Sequence, residues 1–268
     1  MTINSRQNEI IKDVKKLHQK KFREEKKQFI TEGERSVNEA LITESRIITV
    51  FVTNEYFVQE KNQILIKEIK KKISDIKIIS NNVMEYIADT RNPSGILAVV
   101  SYDEIENYEL DPNNPFLILD AVSDPGNTGT ILRSSAAFGI KNVFLINNCV
   151  DVYNPKTVRS SAGSIFRIKP YIIDEKMLDV FFNQCASMRI RIISTQLSDD
   201  AQYLYDYKFG NSIGLILSNE AKGLSDNIKK YVDLNLKIRI KKNIESLNVS
   251  NAASVFLYEI SRQLNLLK

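Results

Sequence analysis

The sequence predicts an α/β protein in two parts, a small α/β layer domain followed by a larger α/β domain on a mainly parallel sheet. Three observations carry this. Beyond Phe116 the apolar runs 116–119, 143–146, 191–194 and 213–217 are continuous rather than alternating, as in strands covered on both faces. Before Ser101, shorter strand-like runs alternate with helical patterns. Between them, Tyr102 to Pro115 (YDEIENYELDPNNP) is acidic and carries two prolines, the mark of a linker. The expected boundaries are 1–101, 102–115 and 116–268.

In chain order, 8–22 sets Ile11, Val14 and Leu17 at helical spacing with lysines between, an amphipathic helix with a basic outer face. Phe29 and Ile30 then lead through Gly33 into a helix carrying Val37, Ala40 and Leu41. Strands fit 47–53, 76–80 and 96–100, and helices fit 64–73 and 83–88. In the second part, Phe116 to Leu119 runs into Asp120 and then Pro125, Gly126, Asn127 and Gly129, which reads as a buried strand breaking into a turn. A helix follows, with Ile131, Leu132, Ala136, Ala137 and Phe138 on its apolar face, Asn127 or Thr128 as its cap and Gly139 as its stop. Further helices fit 180–187 and 246–264, and Leu234, Leu236, Ile238 and Ile240 alternate with polar residues as in a strand.

Composition narrows the chemistry. With 268 residues, 43% hydrophobic and 26% charged, the chain can bury a sizeable core. No apolar run approaches the roughly 20 residues that span a bilayer, and the N-terminus lacks the apolar segment of a signal peptide, so a cytoplasmic protein without membrane contact is expected. Cys149 and Cys185 lack CxxC spacing and read as reduced thiols rather than a disulfide or a zinc site. His18 is the single histidine, which excludes histidine-rich metal sites and leaves one residue for any Ser-His-Asp or Cys-His arrangement. It reads as a solvated helix residue, and no metal is expected. The net charge is +4, but the first 27 residues hold nine Lys/Arg against four Asp/Glu, so this segment carries +5 and the remainder −1. On charge alone, both a solubilising face and a nucleic-acid partner fit.

One residue in the 120–139 stretch is out of place. Arg133 falls in the first turns of its helix, where the helix dipole disfavours a cation, so another requirement holds it there. An anionic or hydroxyl-bearing ligand at the strand's carboxyl end meets that requirement, since open α/β sheets place their sites there. Two further polar, Gly-bearing or capped turns follow apolar strands: LILSNEAKGLS, with Ser218, Asn219, Glu220 and Gly223, and IRIKKNIESLNVSNAA, with Glu245, Ser246, Leu247 and Asn248. Taken singly, each is an ordinary capped turn.

Together, D-x-x-x-DPGNTGTILRSSAAFG, LSNEAKGLS and IESLNVSNAAS resemble, in order and spacing, the three motifs of the SpoU (TrmH-type) RNA 2′-O-ribose methyltransferases of the SPOUT superfamily. The likeness spans essentially all of 116–268. The segment from SRQNEIIKDVKKL to NPSGILAVV is similar to the RNA substrate-binding domain that often precedes such enzymes. The resemblance implies a trefoil-knotted second domain, a homodimer, and S-adenosylmethionine held in the knot loops against Leu217, Ser218, Ile238, Ile240, Ser246 and Leu247. It also implies methyl transfer to a ribose 2′-hydroxyl, with ribosomal RNA favoured over transfer RNA. Ser218 replaces the family's usual glycine, and Arg239 stands in place of its proline.

The implied catalytic set is Arg133, Asn127, Glu220, Ser246 and Asn248, with Arg133 central, the two asparagines orienting hydroxyls and phosphates, and Glu220 and Ser246 fixing that arrangement. Holding an arginine neutral near pH 7 costs on the order of 7 kcal/mol at about 1.36 per unit, so a protonated guanidinium pinning the 3′-phosphate is the less demanding role. The basic N-terminal segment, with Arg6, Lys12, Lys15, Lys16, Lys20 and Arg23, would add sequence-independent phosphate attraction. The alternative is a ribosome-associated RNA-binding protein that keeps the fold without the chemistry. A nucleotide-binding enzyme is disfavoured because neither GxGxxG nor GxxxxGK[ST] occurs.

Overall fold

The computed structural model describes residues 2–103, 108–196, 198, 200–219, 222–241, 243 and 246–267. The chain divides into two compact units, Met1–Glu104 with Asp151–Phe166, and Ile105–Val150 with Arg167–Lys268.

The first unit begins with α1 (Glu9–Lys16), where the Asn8 side chain accepts the Ile10 N–H and Ile11, Val14 and the following Leu17 are buried. The basic helix expected over 8–22 is in fact two. The chain breaks after Leu17 and resumes as α2 (Lys20–Lys26), closed by left-handed Lys27. The break stands because Arg23 Nη1 donates to the Leu17 carbonyl at 2.8 Å, satisfying an acceptor that a helix end would otherwise leave open. Then come β1 (Gln28–Glu32), α3 (Glu34–Ile42), β2 (Ile47–Thr53), α4 (Asn54–Val58), α5 (Gln63–Lys72), β3 (Ile76–Ile79), α6 (Asn81–Ile87) and β4 (Ile96–Ser101). They form a sheet in the order β1-β4-β2-β3, with β4 antiparallel to both neighbours and β2 parallel to β3. Helices α1 and α6 cover it over a core of Ile11, Phe51, Ile79, Met84 and Leu97. Sequence periodicity did not yield β1, whose partner β4 lies some 70 residues away.

Two expectations for this unit are corrected. His18 is not solvated: it lies past the end of α1, half-buried, with Nε2 2.7 Å from the Ile87 carbonyl. Arg23 is not an RNA-facing cation. Its side chain is 2% exposed and holds Asp151 Oδ2 through Nε at 2.9 Å and Nη2 at 2.5 Å.

The second unit runs β5 (Phe116–Asp120), α7 (Pro125–Ala137) and β6 (Asn142–Ile146). After α8 (Pro155–Ser160), which belongs to the first unit, come β7 (Lys169–Ile172), α9 (Leu178–Ser187), β8 (Arg191–Ser194), β9 (Gln202–Tyr203), β10 (Ile213–Ser218), α10 (Asp226–Lys229), β11 (Leu234–Lys237) and α11 (Val249–Leu264). The sheet order is β7-β6-β5-β10-β8-β11-β9 and every pairing is parallel. Its core includes Phe116, Phe144, Phe181, Ile192 and Ile216. Gly214 in central β10 leaves room for the Phe116 ring, since a Cβ there would sit 2.6 Å from that ring.

The expected boundary at 116 misses a return of the chain. Residues 151–166 pack with the first unit because Asp151 pairs with Arg23, Tyr153 stacks on Tyr102 at 4.0 Å, and Phe166 stacks on Phe29 at 5.9 Å. Nor is 102–115 a free spacer. Tyr102 belongs to that aromatic cluster, while Tyr108 and Leu110 pack into the core of the second unit.

Candidate active site

Strands β5, β10 and β8 are neighbours in the second sheet, so their carboxyl ends deliver three chain turns side by side. Ser218 ends β10 in register with Asp120 at the end of β5, and β8 ends at Ser194, followed by Thr195 and Gln196. The strands are buried where they approach this edge, so polar groups emerge together there.

Asp120, fully buried, ties two of these turns. Its carboxylate accepts the Asn147 amide, the Ser225 N–H and the Ser225 hydroxyl, each at 2.7 Å. These bonds compensate the cost of burying a carboxylate and fix the turn after β10 against the end of β5. Asn219 Nδ2 adds a bond to the carbonyl of Ala121, itself in the left-handed region at φ 53°.

Helix α7 begins earlier than the sequence implies. Asp124, rather than Asn127 or Thr128, is the cap, accepting the Asn127 N–H at 2.7 Å, and Pro125 occupies the first turn, where its missing N–H costs nothing. Gly126, Asn127 and Gly129 are therefore helical. Helix α11 packs along α7, with the Ser134 and Ser254 hydroxyls 2.8 Å apart. At the start of α11, Asn248 Oδ1 accepts the Ser250 N–H at 2.9 Å while its Nδ2 donates to Asn127 Oδ1 at 3.0 Å. The first and third sequence motifs thus meet through an amide pair.

Beside this pair lies a cleft of about 270 Å³ lined by Ser218, Ile238, Ile240, Ser246 and Leu247. Leu217, expected with them, is buried one position back in β10 and does not line the cleft. Among the described residues the wall also includes Asn219 and Gly223 of the second motif, together with Thr195, Gln196, Val249, Ala252 and Phe256, which sequence reasoning did not assign to the site. The position of Thr195 and Gln196 just past the apolar run 191–194 was the available signal. Arg133 lies on α7, exposed to solvent and six residues beyond Asn127, with no hydrogen bond or ion pair among the described residues. Glu220 lies outside the described residues. Cys149 donates its thiol to the Leu119 and Ile146 carbonyls at 3.1 and 3.2 Å, and burial pushes its pKa up to about 11, so it offers no nucleophile.

In the first unit, Lys12, Lys16 and Lys20 pair with Glu9, Asp13 and Glu24 at 3.1, 2.9 and 3.5 Å. Arg6 and Lys15 each lie 5.4 Å from the Tyr86 ring centre. Burial lowers the Lys15 pKa against the opposing pull of Asp89 and Glu32.

Comparison with known proteins agrees with this geometry. The SpoU rRNA methylase family matches residues 114–258 and the MRM3-like substrate binding domain matches residues 8–98. The 23S rRNA (guanosine(2553)-2′-O)-methyltransferase RlmP of Bacillus subtilis is 31% identical over 96% of this chain and 98% of its own length. A crystal structure of an RNA 2′-O ribose methyltransferase matches with a TM-score of 0.82 at 25% identity, covering 98% of this chain and 99% of that one. An AdoMet-bound rRNA methyltransferase from Sinorhizobium meliloti shares the fold, with a TM-score of 0.83 at 24% identity over 98% of this chain and 97% of its own. On the strength of a family match across more than half its length and a relative aligned almost end to end, the chain belongs to the SpoU rRNA methylase family.

Proposed function

We propose that this protein is an S-adenosylmethionine-dependent methyltransferase that modifies a ribose 2′-hydroxyl of 23S-type ribosomal RNA. The observation that carries the reading is the cleft at the carboxyl ends of β8 and β10, set beside the Asn127–Asn248 amide pair. Its wall suits the cofactor chemically. Ile238, Ile240, Leu247, Val249 and Phe256 offer apolar surface to a purine, and Thr195, Gln196, Ser218, Asn219 and Ser246 offer polar groups to a ribose and an amino-acid end. When bound, S-adenosylmethionine supplies an electrophilic methyl group on a sulfonium.

The chain's own residues then have to place the 2′-oxygen and stabilise charge as it develops there. Asn127 and Asn248 are joined by an amide hydrogen bond between α7 and α11, which fixes the two side chains relative to each other. Arg133, exposed and free of a carboxylate partner among the described residues, is available to a phosphate. Ser246 lines the cleft wall; Glu220 retains the role that the motif resemblance implies.

The same reading includes a trefoil knot in the second unit, a homodimer and a cytoplasmic setting. Exposed Val255 (42%) and Tyr258 (53%) on α11 favour the dimer, since a second copy would cover them. Among the described residues no helix is long and apolar enough to cross a membrane. Arg133→Ala should lower kcat at least about 100-fold, the scale seen when a charge-stabilising donor is removed, while S-adenosylmethionine Kd stays within about twofold. Loss of both together would make Arg133 a structural residue and remove it from the mechanism.

A further inference from the structure

Strand β9 is the outer strand of the second sheet, and with the turn after it and the end of β11 it forms an aromatic and cationic surface that the proposed chemistry does not use. Tyr203 and Tyr205 stack with ring centres 5.4 Å apart and planes 12° from parallel, yet remain 38% and 54% exposed. Lys237, in register with Tyr203 on β11, places Nζ 5.4 Å from the Tyr203 ring centre, and Arg239 places its guanidinium carbon at 5.9 Å. Arg239 Nη1 also donates to the Tyr205 hydroxyl at 3.4 Å, and Lys237 Nζ to the Ser198 carbonyl at 3.2 Å. The Arg239 bond is long and water-exposed and the Lys237 bond is part-buried, and neither cation has a carboxylate partner among the described residues. Two stacked rings left half in water beside two cations without a carboxylate partner among the described residues are poor stabilisers of a fold but a good platform for a ligand that is itself aromatic and anionic.

The location connects this patch to the cleft. Ile238 and Ile240 line the cleft, and Lys237 and Arg239 are their immediate chain neighbours, so the patch and the cleft share one stretch of chain. We propose that Tyr203, Tyr205, Lys237 and Arg239 form a stacking platform for an unpaired nucleotide of the RNA substrate, adjacent to the one whose ribose is methylated. Each RNA base has a π-face that an aromatic ring takes up without regard to sequence, and a flanking phosphate satisfies the lysine and arginine. The inference rests on the ribosomal RNA reading above and specifies how that substrate is held. Lys237 against the Tyr203 ring favours a polyanion over a protein partner, since lysine is depleted in protein interfaces, and sedimentation in the test below detects the protein alternative.

The test uses the full chain, methyl-labelled S-adenosylmethionine and large-subunit ribosomal RNA from a strain lacking the enzyme. Tyr205→Ala and Arg239→Ala should each raise the KM for RNA about tenfold, within the range for losing one base–aromatic stack, while kcat and S-adenosylmethionine Kd stay within about twofold. Tyr205→Phe, which keeps the ring, should behave as wild type. An unchanged RNA KM in Tyr205→Ala would overturn the platform, as would a Tyr205→Ala chain that sediments as a smaller species than wild type, since the patch would then be a protein interface. If wild type methylates no RNA, the functional reading fails separately. Filter binding of the same RNA then still decides, with equal retention by wild type and Tyr205→Ala overturning the platform.

Discussion

Asn248 illustrates how much one amide can do, since its oxygen caps α11 while its nitrogen reaches Asn127 on α7. Aspartate could cap equally well but could not donate, so the residue type follows from the double duty. The sequence places Asn248 in the third motif; it cannot reveal the partner, which lies 121 residues away. His18 and Arg23 show the opposite failure, because polar residues among lysines read as solvated until the fold supplies Ile87 and Asp151 as their partners. His18 yields a sharp test. Burial lowers its pKa below 6.5, against the Ile87 hydrogen bond that raises it. A depressed histidine stays neutral in the folded state where the unfolded chain is already protonated. Its stabilising contribution is therefore complete above about 6.5 and is lost as pH falls through the folded value. As the chain's one imidazole, it gives a single NMR titration, expected to have its midpoint below 6.5; a midpoint at or above that value would contradict the burial argument.

At the scale of elements, the strands of the second sheet were legible because burial on both faces leaves continuous apolar runs. Strand β7, KPYI, was not, since it is an edge strand with only Tyr171 buried, and two-residue β9 is too short to carry a pattern. The start of α7 was misread for a specific reason: Pro125, Gly126 and Gly129 signal a turn by composition, yet proline fits a first helical turn. Gly214 in β10 is a packing requirement rather than a flexible point. Gly214→Ala should destabilise the protein by about 1–3 kcal/mol in urea unfolding, because the added methyl meets the Phe116 ring and Ile192 in a core that cannot relax freely. A stability equal to wild type would show that the ring has room to move.

For the whole molecule, the two-part organisation was readable from the linker composition, whereas the return of residues 151–166 to the first unit was not, because it depends on long-range pairing. That return makes deletion of residues 1–101 a poor test of RNA binding, since it would expose the aromatic faces of Tyr153 and Phe166. Substituting the surface lysines Lys12, Lys16 and Lys20 with Gln is cleaner. Each contributes to sequence-independent attraction if it meets a phosphate, so the triple variant should bind ribosomal RNA more weakly and lower the magnitude of the salt slope, d log K/d log[salt], by about 2. An unchanged slope would place the RNA elsewhere on the surface.

The most direct measurement is the position of the transferred methyl group. Large-subunit ribosomal RNA from a strain lacking the enzyme is incubated with methyl-labelled S-adenosylmethionine and the full chain, then digested with alkali. A methylated 2′-oxygen cannot attack its neighbouring phosphate, so the account predicts label in one alkali-resistant dinucleotide, absent when Arg133→Ala replaces wild type. Label released in mononucleotides would mean methylation of a base and would contradict the proposed reaction.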